Sequence, residues 1–193
     1  MKASEDFWRL FIAIELPAEV RKRIIDHIDS LRRELPKVRA SWTRAENLHL
    51  TLKFLGDISV SRVTALSAAT EAAARTSRPF DLIITTCGSF PLHGRPKVLW
   101  IGVEDISAPL LRLHTALEDS CAEAGFAREA RVYHPHLTIA RLRDSGDSRM
   151  LAERHKELGF RSEIFTVSEL VLFRSELRAE GAKHTAVSRH QLG

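Results

Sequence analysis

Cysteine is nearly absent: Cys87 and Cys121 are the only two in 193 residues. Two isolated thiols are expected to form neither a disulfide framework nor a zinc site, and each lies in an apolar stretch that reads as core packing. Long hydrophobic runs are also missing. The apolar stretches are short and broken by charge, so no membrane-spanning helix is expected. Residues 1–10 carry Lys2, Glu5, Asp6 and Arg9 and contain no apolar segment of a secretory leader, so the expected compartment is the cytoplasm. No low-complexity segment or Pro/Ser linker divides the chain, and no heptad seam runs through it. We therefore expect one domain spanning residues 1–193, acting as a monomer. The charge excess is small as well, with 29 Lys and Arg against 25 Asp and Glu, a formal net charge of +4. That balance is compatible with a polyanionic partner and does not identify one.

What is present is a globular composition, 44% hydrophobic and 28% charged, arranged as strands alternating with helices. Strands are predicted over 10–14, 41–43, 48–55, 80–86, 98–103, 132–141, 162–177 and 185–191. Helices are predicted over 18–35, 60–75, 108–124 and 147–158. In the first helix Val20, Ile24, Ile28 and Leu31 fall on one face. In the third, Leu110, Leu113, Leu117 and Cys121 do so, with Gly125 placed to end it. A strand, a helix and a strand bearing a short histidine motif occur twice. This pattern predicts an α+β fold of two similar lobes, their antiparallel sheets facing each other across a groove and their helices outside.

The first motif is His49-Leu50-Thr51-Leu52, and the second is His136-Leu137-Thr138-Ile139. Successive side chains on a strand point to opposite faces. Leu48, Leu50, Leu52 and Phe54 are therefore expected to face the core, leaving His49, Thr51 and Lys53 on the other side. In the second strand Leu137 and Ile139 are expected inside, with His134, His136 and Thr138 opposite. If the lobes face each other, two His-x-Thr pairs line one cleft. A single His-x-Thr is weak evidence, since many chains contain one by chance. Two copies in strand alternation, one in each half, point to paired use.

Such a pair suits opening of a cyclic phosphate, an in-line displacement at phosphorus. One group removes a proton from the attacking water, and another delivers a proton to the departing ribose oxygen on the opposite side. Imidazole serves both roles, with an unperturbed pKa of about 6.5. The hydroxyls of Thr51 and Thr138, beside their histidines, can donate to the non-bridging oxygens and hold the developing charge. The 2′-hydroxyl that closes such a ring belongs to RNA.

The motifs resemble the signature of the two-histidine phosphoesterases, and the branch called 2′-5′ RNA ligase or RNA 2′,3′-cyclic phosphodiesterase is the nearest match. The stretches that carry the resemblance are Arg9-Leu10-Phe11-Ile12-Ala13-Ile14-Glu15-Leu16-Pro17, Trp42 through Gly56, Pro96-Lys97-Val98-Leu99-Trp100, and His134-Pro135-His136-Leu137-Thr138-Ile139-Ala140-Arg141. The resemblance implies a bilobal, pseudo-twofold α+β fold and hydrolysis of a terminal 2′,3′-cyclic phosphate to a 2′-phosphate, without metal, cofactor or ATP. It implies RNA ends as partners, His49 as proton donor and His136 as the acceptor that activates water. The residues alone leave those two roles open. The reverse reaction, in which a ribose 5′-hydroxyl replaces water, gives the family its ligase name; with water in excess, hydrolysis is the expected direction. One departure stands out: the family often has a glycine and then a tyrosine before the last strand, whereas here Gly181 is followed by Lys183 and His184.

Arg141 is a candidate phosphate clamp through its paired donors. Strict alternation turns it with Leu137 and Ile139, away from the cleft, unless a bulge re-aims it; a structural ion pair is the alternative. His134 is either a partner of His136 or a strand-entry residue beside Pro135. Lys53 either adds positive potential or is solvated. Trp42, Phe90 and Trp100 are stacking candidates that serve equally as core, and Arg95 faces phosphate or solvent. Arg21, Arg23, Arg32 and Arg33 form a solvated helix face. Three other readings compete. His49, His134 and His136 could supply three imidazoles to zinc. The fold could bind RNA ends without turnover. The linkage cleaved could instead be a 2′-5′ phosphodiester or a small cyclic nucleotide.

Overall fold

In the first strand, Leu10, Ile12 and Ile14 alternate with Phe11 and Ala13, and both sets are apolar. Such a strand has to be covered on both faces. The computed structural model, which describes residues 6–143, 147–179 and 181–193, places the strand in the interior of a sheet, with a strand on each side. β1 (Phe7–Glu15) pairs on one side with β3 (His49–Ser59) and on the other with β8 (Glu169–Arg178), which pairs in turn with β9 (Gly181–Gln191). Leu10, Ile12 and Ile14 enter the main core, while Phe11 and Ala13 form a small separate cluster with Val171 and Phe173 on the opposite face. Of the segment read for a leader, residues 1–5 lie outside the described residues. No helix among the described residues is long and apolar enough to cross a membrane.

The second sheet runs in the order β2 (Ala40–Trp42), β6 (His136–Leu142), β5 (Val98–Glu104), β4 (Phe80–Phe90), β7 (Glu163–Val167), all neighbours antiparallel. Two helices attend each sheet. α1 (Ala18–Glu34) packs with α4 (Ser148–Leu158), which lies against β4. α2 (Val63–Ala74) packs with α3 (Pro109–Glu123) and lies against β8 and β9. The twofold pattern is visible in the topology. β1-α1-β3-α2 matches β5-α3-β6-α4, and the strands flanking β1 and β5 match in order, β3 with β6, β8 with β4 and β9 with β7. The α1 and α3 segments each cross over to pack with the helix of the other half.

Local sequence explains the helix bounds. α1 buries Val20, Ile24, His27, Ile28 and Leu31, one stripe at helical spacing. α3 opens with Pro109, whose missing N–H costs nothing in the first turn, and the Asp105 carboxylate accepts from the N–H groups of Leu110 and Leu111, both at 3.0 Å. Gly125, at φ +78°, ends it.

Three expectations change. The long strand predicted over 162–177 is two strands, β7 and β8, in different sheets, with Ser168 at the crossing. The last strand starts at Gly181, four residues earlier than its pattern suggested. The strand predicted from 132 begins only at His136, because Pro135 has no N–H to give a ladder.

Candidate active site

β3 and β6 carry the two motifs, and both bulge one residue beyond the threonine. In β3, Ala13 pairs with Thr51 and Ile12 with Lys53, leaving Leu52 as the extra residue. In β6, Trp100 pairs with Thr138 and Leu99 with Ala140, leaving Ile139 extra. Each bulge puts two consecutive side chains inside, Leu52 with Lys53 and Ile139 with Ala140, and inverts the alternation beyond. Phe54, expected in the core, is 65% exposed and lines the cleft, as does Arg141, its counterpart in the second lobe. Lys53, expected beside His49 and Thr51, is instead buried. Its ammonium donates to both oxygens of Glu118 and to the Ala127 carbonyl, each at 2.8 Å.

The cleft between the sheets has a volume of about 1170 Å³ and is lined by His49, Thr51, His136, Thr138 and Arg141. All five candidate residues thus meet in one groove. Arg9, Arg44, Arg131 and Arg143 also line it, and among the described residues Glu129 is the sole acidic one that does so, an arrangement suited to an anion.

The two histidines are held alike. The His136 Nδ1–H donates to the His134 carbonyl at 2.7 Å, and the His49 ring donates to the Asn47 backbone carbonyl. A carbonyl only accepts, so one ring nitrogen of each keeps its proton there, and the other is left for chemistry. His134 therefore acts on His136 through its backbone, outside any strand. Burial depresses both imidazoles. His49 is lowered to about 4, by desolvation first and then by neighbouring His184, against the opposing Asn47 hydrogen bond. His136 is lowered by desolvation, partly offset by the His134 bond and reinforced by Arg141.

The surroundings fix the rings further. His49 stacks on Phe11 at 4.8 Å between centroids, Phe11 stacks on Phe173 at 5.1 Å, and the His184 ring stands edge-on to His49 at 5.4 Å. On the other wall Phe90 meets His136 edge-on at 5.1 Å and rests near Trp100 at 5.3 Å. Trp100 lies across Gly88, where a Cβ would come within 2.1 Å of the indole. Trp42 and Phe90 line the cleft; Trp100 and Arg95 are not among its lining residues. The Tyr133 hydroxyl donates to the Thr51 carbonyl at 3.2 Å, and the Thr43 hydroxyl to the Thr138 carbonyl at 2.9 Å, bracing the two motif strands. Of the helix arginines, Arg23, Arg32 and Arg33 are exposed and Arg21 is half-buried; Arg23 pairs with Glu163 at 2.8 Å and Arg32 with Asp29 at 3.3 Å.

Sequence reasoning missed Phe11, Phe54 and His184. Phe11 left a signal, the doubly apolar alternation of β1. His184 left only the glycine two residues before the lysine. Burial pushes the thiols of Cys87 and Cys121 up to about 12 and about 11, which keeps them protonated near neutral pH. Among the described residues, His49, His134 and His136 do not converge as a metal-ligand group.

Two facing antiparallel sheets, each bringing a histidine and a threonine to a shared arginine-rimmed groove, define an α+β protein of the two-histidine phosphoesterase class. The model of the 2′-5′ RNA ligase superfamily matches residues 16–179, and the chain belongs to that family. It is 32% identical over 185 residues to the Escherichia coli protein named RNA 2′,3′-cyclic phosphodiesterase, covering 95% of this chain and 96% of that one. A Geobacillus stearothermophilus protein of the same name is 31% identical over 183 residues, 95% of this chain, and this chain spans 57% of its length. Among solved structures, TT0787 of Thermus thermophilus matches with a TM-score of 0.76 at 26% identity, covering 95% of this chain and 97% of that one. Escherichia coli LigT complexed with 3′-AMP matches with a TM-score of 0.72 at 28% identity, covering 97% and 99%.

Proposed function

We propose that the protein hydrolyses terminal 2′,3′-cyclic phosphates on RNA to 2′-phosphates, by metal-free acid–base catalysis between His136 and His49. The observation that carries this reading is the pair of equivalent motif strands. Each supplies an imidazole tethered at one nitrogen, and a hydroxyl beside it, to one cleft. The names of the relatives support the substrate class.

His136 takes the role of base. Its Nδ1 proton is held by the His134 carbonyl, so in the neutral ring Nε2 carries the lone pair that accepts a proton from water. Depression of its pKa keeps it neutral. His49 takes the role of acid and protonates the leaving 3′ oxygen. In the unliganded cleft burial strips its proton; a phosphate anion entering beside it opposes that burial and draws the proton on, which couples acid loading to substrate binding. Thr51 and Thr138 donate to the non-bridging oxygens, and Arg141 neutralises them from the second wall. The groove is wider than the roughly 300–1,000 Å³ of ordinary small-molecule pockets, which favours an RNA end over a free mononucleotide. Both walls come from one chain, so the mechanism needs no second subunit. Ligation is the same ring opening, with a 5′-hydroxyl in place of water and the 3′ oxygen again leaving.

Replacement of either histidine tests the reading. His49→Ala and His136→Ala each lose at least about a hundredfold in kcat, since each removes one proton-transfer partner, with far-ultraviolet circular dichroism unchanged. Parent-like turnover in either folded variant overturns the pair.

A further inference from the structure

Away from the cleft, three side chains that are distant in sequence meet on the helix-covered face of the second sheet. β4 is bulged as well: Thr85 pairs with Gly102 and Cys87 with Ile101, leaving Thr86 extra at φ +37°. That conformation is unfavourable for a β-branched residue. It is accommodated because residue 102 is glycine, where a Cβ would lie 2.2 Å from the Thr86 hydroxyl oxygen. The bulge turns Cys87 to the face of buried Ile101, the face on which α4 packs.

His27 of α1 and His155 of α4 meet Cys87 there. The ligand-type atoms of the three residues all lie within 4.8 Å of one another, and His27 Nε2 is 2.9 Å from His155 Nδ1. His155 is fully buried and His27 nearly so. His155 Nε2 lies 2.9 Å from the Trp100 carbonyl. The carbonyl can only accept, so Nε2 holds the proton and Nδ1 turns a lone pair toward the cluster. This is how ligating imidazoles are commonly oriented, by a carbonyl on the far nitrogen. Ideal ligand separations around a tetrahedral or trigonal cation with Zn-like bond lengths are about 3.4–3.8 Å. The separations here bracket that range, so side-chain shifts of roughly an ångström close the site.

We propose that His27 Nε2, His155 Nδ1 and Cys87 Sγ bind one thiophilic closed-shell cation, Zn(II) or Cu(I), as a clamp joining α1, α4 and β4. A thiolate with two neutral imidazoles suits such ions. With Cu(I) the three-ligand set is complete and electrically neutral. With Zn(II) a fourth position remains for water, reached past the half-buried Cys87. Binding releases the thiol proton and leaves His27 protonated on Nδ1, so one proton leaves per cation. Through Trp100, on the strand next to β6, the clamp stiffens the sheet that carries the second motif.

The test uses the full chain, stripped of metal. It is titrated with Co(II) and Zn(II) in one arm, and anaerobically with Cu(I) against a chromophoric chelator in the other. One equivalent of cation binds, Co(II) gives a thiolate charge-transfer band in the near ultraviolet, and the preferred ion raises Tm by roughly 5–10 °C at a hundredfold excess over Kd. Cys87→Ser weakens binding at least a hundredfold, His27→Gln weakens it too, and Cys121→Ser does not. These variants are chosen because His155→Ala empties a fully buried site and can fail to fold. Binding of either ion with this pattern supports the clamp and identifies its cation. No binding of any of the three ions beyond that of Cys87→Ser overturns it and leaves a hydrogen-bonded core pair. Binding that survives Cys87→Ser but disappears in His49→Ala overturns it in favour of a metal in the cleft.

Discussion

Removing the carboxylate of Glu118 should destabilise the protein through one buried cation. Lys53 is 2% exposed and Glu118 7% exposed. Both carboxylate oxygens accept from Lys53, at 2.8 Å each, and one also accepts from the Glu129 N–H at 3.0 Å. In Glu118→Ala the ammonium keeps, among the described residues, the Ala127 carbonyl as its one remaining hydrogen-bond partner. Breaking a buried ion pair from one side costs about 3–5 kcal/mol. For a chain of this size each kcal/mol lowers Tm by about 2–4 °C, so Tm should fall by roughly 6–20 °C. Replacing both partners with apolar residues, as in Lys53→Met with Glu118→Leu, should recover most of the loss, because such exchanges are near neutral when volume is kept. The assay is urea unfolding of the parent, the single variant and the double variant, with the m-value checked for constancy. A Glu118→Ala variant within about 1 kcal/mol of the parent, or a double variant no better than the single, would refute the reasoning. The pair also matters to the site. Lys53 directly follows the Leu52 bulge, so the anchor that holds it also holds the strand just beyond Thr51.

Two further predictions concern the cleft. Arg141→Ala should raise KM for a cyclic-phosphate RNA end roughly tenfold to a hundredfold, the value of a charged hydrogen bond, with Arg141→Lys recovering part; an unchanged KM removes Arg141 from substrate binding. Because both His49 and His136 are depressed below 6.5 in the unliganded cleft, kcat/KM should peak on the acid side of that value. It should fall below the peak as His136 gains its proton and above it as His49 loses one; a plateau across neutral pH with no alkaline fall contradicts this assignment.

The sequence made the motif faces legible because alternation holds from His49 to Thr51 and from His136 to Thr138. It stopped being a guide one residue later. A bulge inserts a residue without any residue type that announces it, so Lys53 and Phe54 exchanged their expected faces, and Arg141 came to the cleft against strict alternation. Helices were legible from their stripes, and α3 carried its proline and glycine punctuation as well. The split of 162–177 was not, since β7 and β8 share an apolar pattern and only their partners differ. His184 was out of reach for another reason. What makes it part of the site is the pairing of β8 and β9, which carries it beside a histidine that local pattern cannot connect to it. Cys87, His27 and His155 were hidden in the same way, each an isolated residue until the helices close over β4.

The most direct test of the central claim is incubation of the purified protein with an RNA oligonucleotide ending in a 2′,3′-cyclic phosphate, in the presence of EDTA, with the product isomer identified. The account predicts complete conversion to the 2′-phosphate, unaffected by the chelator. Absence of product from folded protein, a 3′-phosphate product, or activity that vanishes with EDTA and returns with zinc would contradict it.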